Sequence, residues 1–431
     1  MARQGEARTA PGFIRAGAPP YHTAIPATTW RGNLQDQEQF RREVRQWLQA
    51  NCPESQRQPI TAAEQYWGGR RGSFPSEDAR LWYERMRDRG WIAPEWPIEY
   101  GGGGLSDQQA RIIKDEMKRI NARAPLYSIG LWMLGPALLE YGNEAQKQQH
   151  VRAIINAETR WAQGYSEPGA GSDLASLQCR AEDMGDHFLV NGSKIWTTSA
   201  DKCDWIFCLV RTDPKVKKQE GISFLLIDMD TPGVSTSPIE LISGESEFCQ
   251  TFFDNVKVPR ENLVGELNKG WSVAKALLVH ERKLMAELGS DSPRKIVPPN
   301  EAARKYLEFR DGRIVDARLR LDLVEYNMQM HAIALTHFRG FEEKSAGVRS
   351  AAPLVMKYLG TEAEKTKSEL LLAIMGSRGL GWEGDEFTPE ERDTLRLWAM
   401  SKAMTIAGGS SEIQLNVIAK NVLGLPQAGG T

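Results

Sequence analysis

The chain of 431 residues lacks the marks of several protein classes. Its cysteines number only five, Cys52, Cys179, Cys203, Cys208 and Cys249, an odd count with no CxxC pair. That pattern argues against a disulfide scaffold and against a cysteine-held zinc or iron–sulfur site, so no metal centre is expected. It also points to a reducing, cytoplasmic compartment. No run of about 18 apolar residues is present, so no membrane span is expected. Neither sign of charge dominates: 54 Lys and Arg stand against 56 Asp and Glu, for a formal net charge of -2. The basic excess that accompanies nucleic-acid binding is therefore missing. There is no internal repeat and no dinucleotide-binding GxGxxG run. What is present is a composition of 41% hydrophobic and 26% charged residues. That suffices for a substantial buried core in two or three domains, or in one large enzyme.

The first thirty residues are rich in Ala, Pro and Arg and carry no sustained apolar period, so 1–34 reads as a flexible leader. Helical patterning begins near Gln37. In Phe40-Arg-Arg-Glu-Val44-Arg-Gln-Trp47-Leu48 apolar residues recur at steps of three and four, and Pro53 closes the run. Further amphipathic segments cover roughly 77–90, 106–121, 127–141 and 144–157, with a Pro- and Gly-rich loop at 91–104. From about 160 to 260 the period shortens to that of strands: His187–Val190, Lys194–Thr198, Trp205–Arg211, Ile222–Met229 and Gln250–Val258. Asn191-Gly192 between the first two predicts a hairpin, because both residues tolerate positive φ. Helical periods resume near Lys269, with a Pro-rich interruption around 292–299 and a Gly/acidic loop at 379–391. The fold class is α+β in three parts: helices over 35–160, a β module over 161–268 and helices over 269–431.

Four stretches carry chemistry. The first, Trp161-Ala-Gln163-Gly-Tyr165-Ser166-Glu-Pro-Gly-Ala-Gly171-Ser172-Asp173, combines glycines that allow close backbone approach with two hydroxyls. It suits a phosphate or a polar heteroaromatic ring, or it is a plain connector. In the second, Lys194-Ile-Trp196-Thr-Thr198, alternation places Trp196 and Thr198 on one strand face. They would flank a flavin, or Trp196 packs as an ordinary half-buried side chain. The third is the helical run from Gly270, where positions 271, 274, 278, 281 and 285 share one stripe. Glu281 is its sole charged member. A desolvated carboxylate there would have its pKa raised from about 4.3 toward roughly 6–7, the range of a general base, and the alternative is an ion pair with a neighbouring helix. The fourth is Ala407-Gly408-Gly409-Ser410-Ser411-Glu412-Ile413-Gln414, where Ser411 would cap a helix whose N-terminus suits an anion, or simply ends the fold well capped.

Together and in this order the four stretches resemble the acyl-CoA dehydrogenase family, over about residues 35 to 426. Tyr165–Asp173 is similar to its most specific motif, the 91–104 loop resembles its N-terminal domain, and Phe252–Pro259 with Asn262–Glu266 resembles its exit from the β domain. The resemblance implies an N-terminal helical domain, a central antiparallel β domain and a C-terminal domain like a four-helix bundle. It implies FAD as cofactor and α,β-dehydrogenation of an acyl-CoA thioester, with a base for the α-proton and hydride transfer to flavin N5. Carried over residue by residue, Gln163, Tyr165, Ser166, Gly171, Ser172, Trp196, Thr198, Ser410 and Glu412 would hold the cofactor, and Ser172, Arg282 and Gly409 the substrate. An electron-transfer flavoprotein or similar acceptor would reoxidise the enzyme.

Two departures qualify the likeness. Where many members carry the catalytic Glu before the final helix, this chain has Gly408. Other members place it on the first helix after the β domain, directly before an Arg, and Glu281-Arg282 matches that arrangement. The segments that usually clamp a neighbouring subunit's flavin are degenerate around Lys305–Gly312 and Ala373–Gly379. A Gly-Gly-Ser ending and a His-Glu-Arg helix resemble subunits of pimeloyl-CoA dehydrogenase-type complexes, which implies a homodimer, homotetramer or heterotetramer. Two alternatives stay open: a flavin-dependent monooxygenase or lyase on the same fold, or a non-catalytic partner subunit of a heteromeric dehydrogenase.

Overall fold

The computed structural model describes residues 27–288 and 297–426, without the side chains of 27–35, Ala62 and 281–288. Helix α1 (Ala27–Asn51) is followed by α2 (Glu77–Asp88), α3 (Asp107–Arg119) and two helical runs over 130–141 and 144–155. The start of α1 at Ala27 lies inside the stretch read as a leader; residues 1–26 lie outside those described. Local signals set these helices. Ser76 caps α2 by accepting the Ala79 N–H, and Ser106 with Gln109 forms a reciprocal capping box on α3. Trp82, Tyr83 and Met86 of α2 and Ile112 and Ile113 of α3 enter one core. Burying each such side chain contributes about 1.5–3 kcal/mol.

Glu116 shares the inward stripe of α3 and is 2% exposed. Its carboxylate accepts bonds of 2.8 and 2.9 Å from Arg45 of α1, one of 2.8 Å from Arg119 and one of 3.2 Å from Arg41. These guanidiniums, Arg45 foremost, pull its pKa down to about 2. The network fixes α1 against α3. His150 lies in a π-helical turn, Lys147–Val151, and is 2% exposed. Its ring stands edge-on to Trp161 at 5.3 Å and to Trp205 at 5.0 Å, and burial lowers its pKa from 6.5 to about 4.

The middle of the chain forms one sheet: β1 (Trp161–Gly164), β2 (Arg180–Asp183), β3 (His187–Thr198), β4 (Trp205–Arg211), β5 (Ile222–Asp228), β6 (Val234–Ile239), β7 (Phe248–Pro259) and β8 (Leu263–Val264). The order is β6-β7-β3-β2-β4-β5-β8, with β1 beside β4. Most neighbours are antiparallel, while β1 and β2 run parallel to β4. Alternation on β4 feeds two cores. Trp205, Phe207 and Leu209 join the N-terminal helices, and Ile206, Cys208 and Val210 meet Cys179, Phe188, Val190 and Val256. All five cysteines are buried and none is in a disulfide.

Asn191-Gly192 does not make the expected hairpin. β3 runs unbroken from His187 to Thr198 along β7, and the dipeptide sits in a bulge where the register shifts between Val190 and Gly192. Gly192 has φ 143, and a Cβ there would stand 2.8 Å from the Cys179 Cα. Across the bulge Asn255, with φ 52, donates its N–H to Asn191 Oδ1 at 2.8 Å. Tolerance of positive φ serves a bulge as readily as a turn.

The Gly270–Leu288 helix then packs on β5 and on the 130–141 run. Part of the Pro-rich interruption lies outside the described residues. Beyond it come the helices Pro299–Tyr306, Ala317–Ser345, Ala352–Met375, Pro389–Met404 and Ser411–Asn421, with a short hairpin, Phe309–Arg310 and Arg313–Ile314, after the first. Ala302, Ala303, Leu323, Tyr326, Leu370, Leu371 and Ile374 make a third core. Among the described residues no helix is long and apolar enough to cross a membrane.

Candidate active site

All three parts of the chain border one cleft of about 2560 Å³. Pockets for a single ligand reach about 1,000 Å³, so this cleft has room for two large ligands side by side. β1 brings Gln163 to its wall, and the loop that follows brings Tyr165, Ser166, Gly171 and Ser172. The loop is anchored from beneath. Lys194, 0% exposed on β3, donates to Glu167 Oε1 at 2.7 Å and to the Tyr165 carbonyl at 3.2 Å. Glu167 also accepts the N–H groups of Gln178 at 2.6 Å and Cys179 at 2.8 Å, and the Ile195 N–H donates to the Ser166 carbonyl at 2.9 Å. A buried charge pair that is also hydrogen-bonded this fully holds its loop in one position. At the far end of the loop, the Lys218 ammonium holds the Asp173 carboxyl below the usual carboxylate range.

Trp196 forms the next stretch of wall. The register of β3 shifts between Lys194 and Thr197, and Trp196 takes φ 61. Such a conformation costs about 1 kcal/mol or more in a bulky residue, and here it leaves the indole 52% exposed on the cleft. Thr197 turns inward to the Cys249 carbonyl and the Thr251 hydroxyl, each at 2.8 Å. Thr198 is half-buried and is not among the lining residues, so the pair expected on one face is divided. The bulge breaks the alternation on which that expectation rested.

The Gly270–Leu288 helix buries Val273, Ala274 and Leu277 and turns Trp271, Leu278 and Val279 to the cleft. Glu281 and Arg282 continue this helix, and their side chains lie outside the described residues. Gly408 and Gly409 close the opposite wall with Ile413 and Gln414. Both glycines have positive φ, 66 and 99, and a Cβ on Gly409 would stand 2.7 Å from Gln414 Nε2. Ser410, not Ser411, caps the last helix by accepting the Ile413 N–H at 3.4 Å. Ser410 has the extended backbone of a cap, whereas Ser411 is already helical and donates to Glu362 Oε1 at 2.6 Å. Ser410 and Glu412 adjoin the wall without lining it. Bonds from its own N–H and from Ser410 lower the Glu412 pKa.

Sequence reasoning missed several lining residues. Arg111 of α3 lies over the Phe341 ring at 4.1 Å and joins the Ala317–Ser345 helix to the N-terminal helices. His337 and Tyr127 also face the cleft. Each is an ordinary residue on a helix or loop, and only tertiary packing brings them together. The degenerate clamp segments, 305–312 and 373–379, are not among the lining residues.

Helices, a mostly antiparallel sheet and helices around one shared cleft are the arrangement of the acyl-CoA dehydrogenase fold. The chain belongs to this acyl-CoA dehydrogenase family: the models of its N-terminal, middle and C-terminal domains match residues 35–158, 162–256 and 268–423. It is 35% identical over 397 residues to acyl-CoA dehydrogenase IpdE1 of Mycobacterium tuberculosis, covering 91% of this chain and 99% of that one. Among solved structures it resembles the Tcur3481-Tcur3483 steroid ACAD, with a TM-score of 0.71 and 30% identity, covering 91% of this chain and 98% of that one. It also resembles the ChsE4-ChsE5 complex of M. tuberculosis, with a TM-score of 0.68 and 27% identity, covering 94% and 99%. Members of the family are FAD flavoproteins that act on acyl-CoAs. The residues present fit that cofactor: hydroxyls of Ser166 and Ser172, the Gln163 amide and the exposed Trp196 indole face one space. That is a donor set suited to a flat ring with polar edges.

Proposed function

We propose that this protein is an FAD-dependent acyl-CoA dehydrogenase that converts an acyl-CoA to its 2-enoyl-CoA, with Glu281 as the α-proton base. The observation that carries the reading is the single cleft onto which the 163–172 loop, Trp196, the Gly408–Gly409 turn and the Gly270–Leu288 helix all face. FAD, when bound, supplies the hydride acceptor. Gln163, Tyr165, Ser166, Gly171, Ser172 and Trp196 hold and orient it, with Ser410 and Glu412 at the adjoining helix end. Gly409 and Ser172 lie where a thioester and its CoA are held, and Arg282 orders the substrate. The Glu281 carboxylate takes the α-proton. Leu278 and Trp271, earlier on the same helix, line the cleft.

The test is anaerobic mixing of the purified yellow protein with a panel of short, dicarboxylic and steroid-derived acyl-CoAs. One of them should bleach the flavin band, and Glu281→Gln should slow that bleaching by about 10²-fold or more. Bleaching at the wild-type rate in E281Q would refute the assignment. Thr198 belongs to the reading only as a neighbour of Trp196, since it does not line the cleft.

An electron-transfer flavoprotein or similar acceptor completes the cycle. A two-chain assembly is also part of the proposal, because the two solved relatives above carry two chain names each. Leu321, Val324, Met328, Leu335 and Phe338 form an exposed apolar row on the Ala317–Ser345 helix that suits a partner's face. Native mass measurement of protein expressed alone and with candidate partners decides it.

A further inference from the structure

Resting on the reading above, we infer that Lys357 is a positioning residue for the reaction, holding the Gly408–Gly409 turn at the depth in the cleft that a bound acyl thioester needs. Lys357 belongs to the Ala352–Met375 helix and is 4% exposed. Its Nζ donates to the Gly409 carbonyl at 2.6 Å and to the Met404 carbonyl at 3.4 Å. Those two carbonyls bracket the link between the last two helices, so one ammonium ties both ends of that link to a third helix. A buried ammonium is expensive unless its donors are used, and here two hydrogen bonds go to backbone carbonyls.

The turn is held from its other side as well. Gln414, 4% exposed, donates from Nε2 to the Gly408 carbonyl at 3.4 Å. Ser411 is tied to Glu362, which in turn pairs with Lys365 at 2.5 Å, both one turn or more along the helix from Lys357. Carbonyls of both glycines are thus held by fixed donors, and both glycines line the cleft. The opposite wall repeats the device: the Lys194 ammonium grips the Tyr165 carbonyl under the Ser166 loop. Two buried lysines, on different elements, set the spacing of the walls between which substrate and cofactor lie. A wall displaced by about 1 Å is enough to cost about 10²-fold in rate.

The experiment uses the holoprotein and three variants: Lys357→Met, Lys357→Gln and Lys357→Arg. For each, thermal unfolding of the flavin-free protein, the flavin dissociation constant, kcat and KM for the best acyl-CoA are measured. The expected result is a fall in kcat/KM of about 10- to 100-fold in K357M, carried by kcat, with flavin-free unfolding temperatures close to wild type. K357Q and K357R, which keep a donor, should recover part of the loss. Equal kcat and KM in folded K357M and wild type would overturn the inference. So would a loss that follows unfolding temperature across all three variants, since a merely structural lysine behaves that way. If K357M does not fold, wild-type kinetics in both K357Q and K357R overturns it, and graded loss supports it. A wild-type protein that carries no flavin or bleaches with no acyl-CoA instead defeats the underlying reading, and is seen before any variant is made.

Discussion

His150 makes the stability of the junction between the N-terminal helices and the sheet dependent on acid. Its ring is enclosed by Trp161 of β1 and Trp205 of β4, and burial lowers its pKa from 6.5 to about 4. The folded protein therefore favours the neutral imidazole, whereas the unfolded chain takes up a proton once the pH drops below 6.5. Unfolding binds a proton in that window, so the contribution is fully present above pH 6.5 and is lost as pH falls through about 4. At about 1.4 kcal/mol per pH unit, the whole shift is worth about 3 kcal/mol, of which about 2 kcal/mol is lost between pH 7 and pH 5. The perturbation is His150→Leu, which removes the titration and keeps an apolar side chain between the two indoles. Packing differences cost this variant about 1 kcal/mol at pH 7. Urea unfolding of both proteins at pH 7 and pH 5 gives a double difference in which all other titrating groups cancel. The variant should lose about 2 kcal/mol less than wild type on acidification. Parallel losses in the two proteins would show that His150 is protonated without cost in the fold, and the reasoning from burial would be wrong. Because β1 also carries Gln163, wild-type flavin release should rise over the same pH interval.

Glu116→Gln keeps the shape of the α1–α3 contact but removes the charge that three guanidiniums share. It should lower stability by about 2 kcal/mol at pH 7, read by urea midpoint, with the difference shrinking as pH falls toward 2 and wild-type Glu116 is itself protonated. Lys194→Met leaves Glu167 buried without its ammonium and should cost about 3–5 kcal/mol and loosen flavin binding. The double variant K194M/E167Q should recover much of that stability; strictly additive losses would show that the two side chains do not act as a pair.

Strand limits were legible where alternation and burial agree. β4 spans the same Trp205–Arg211 that its pattern marks, because seven consecutive positions are buried and both faces have cores to enter. The sequence misled where one residue type serves two backbones. Asn191-Gly192 reads as a turn, yet the long pairing of β3 with β7 outweighs it and converts the same dipeptide into a bulge. The sequence reading puts the cap at Ser411, whereas Ser410, which follows two glycines of positive φ, is the cap. The motif residues of the cleft were legible because their chemistry is local. Lys194 and Lys357 were not: lysine in a sequence reads as surface, and what buries each is a carbonyl supplied from far along the chain, Tyr165 for one and Gly409 for the other.

The core that unites Trp82 and Ile113 with Phe207, Phe224 and Leu277 runs across all three sequence-defined domains. During synthesis, the N-terminal helices leave the ribosome with a large apolar face that cannot close until β4, β5 and the start of the Gly270–Leu288 helix have followed. A chain truncated before that helix would present Phe224 and its neighbours to solvent, and should be captured by chaperones or precipitate. Separate family models match the three domains, but a single hydrophobic core joins them.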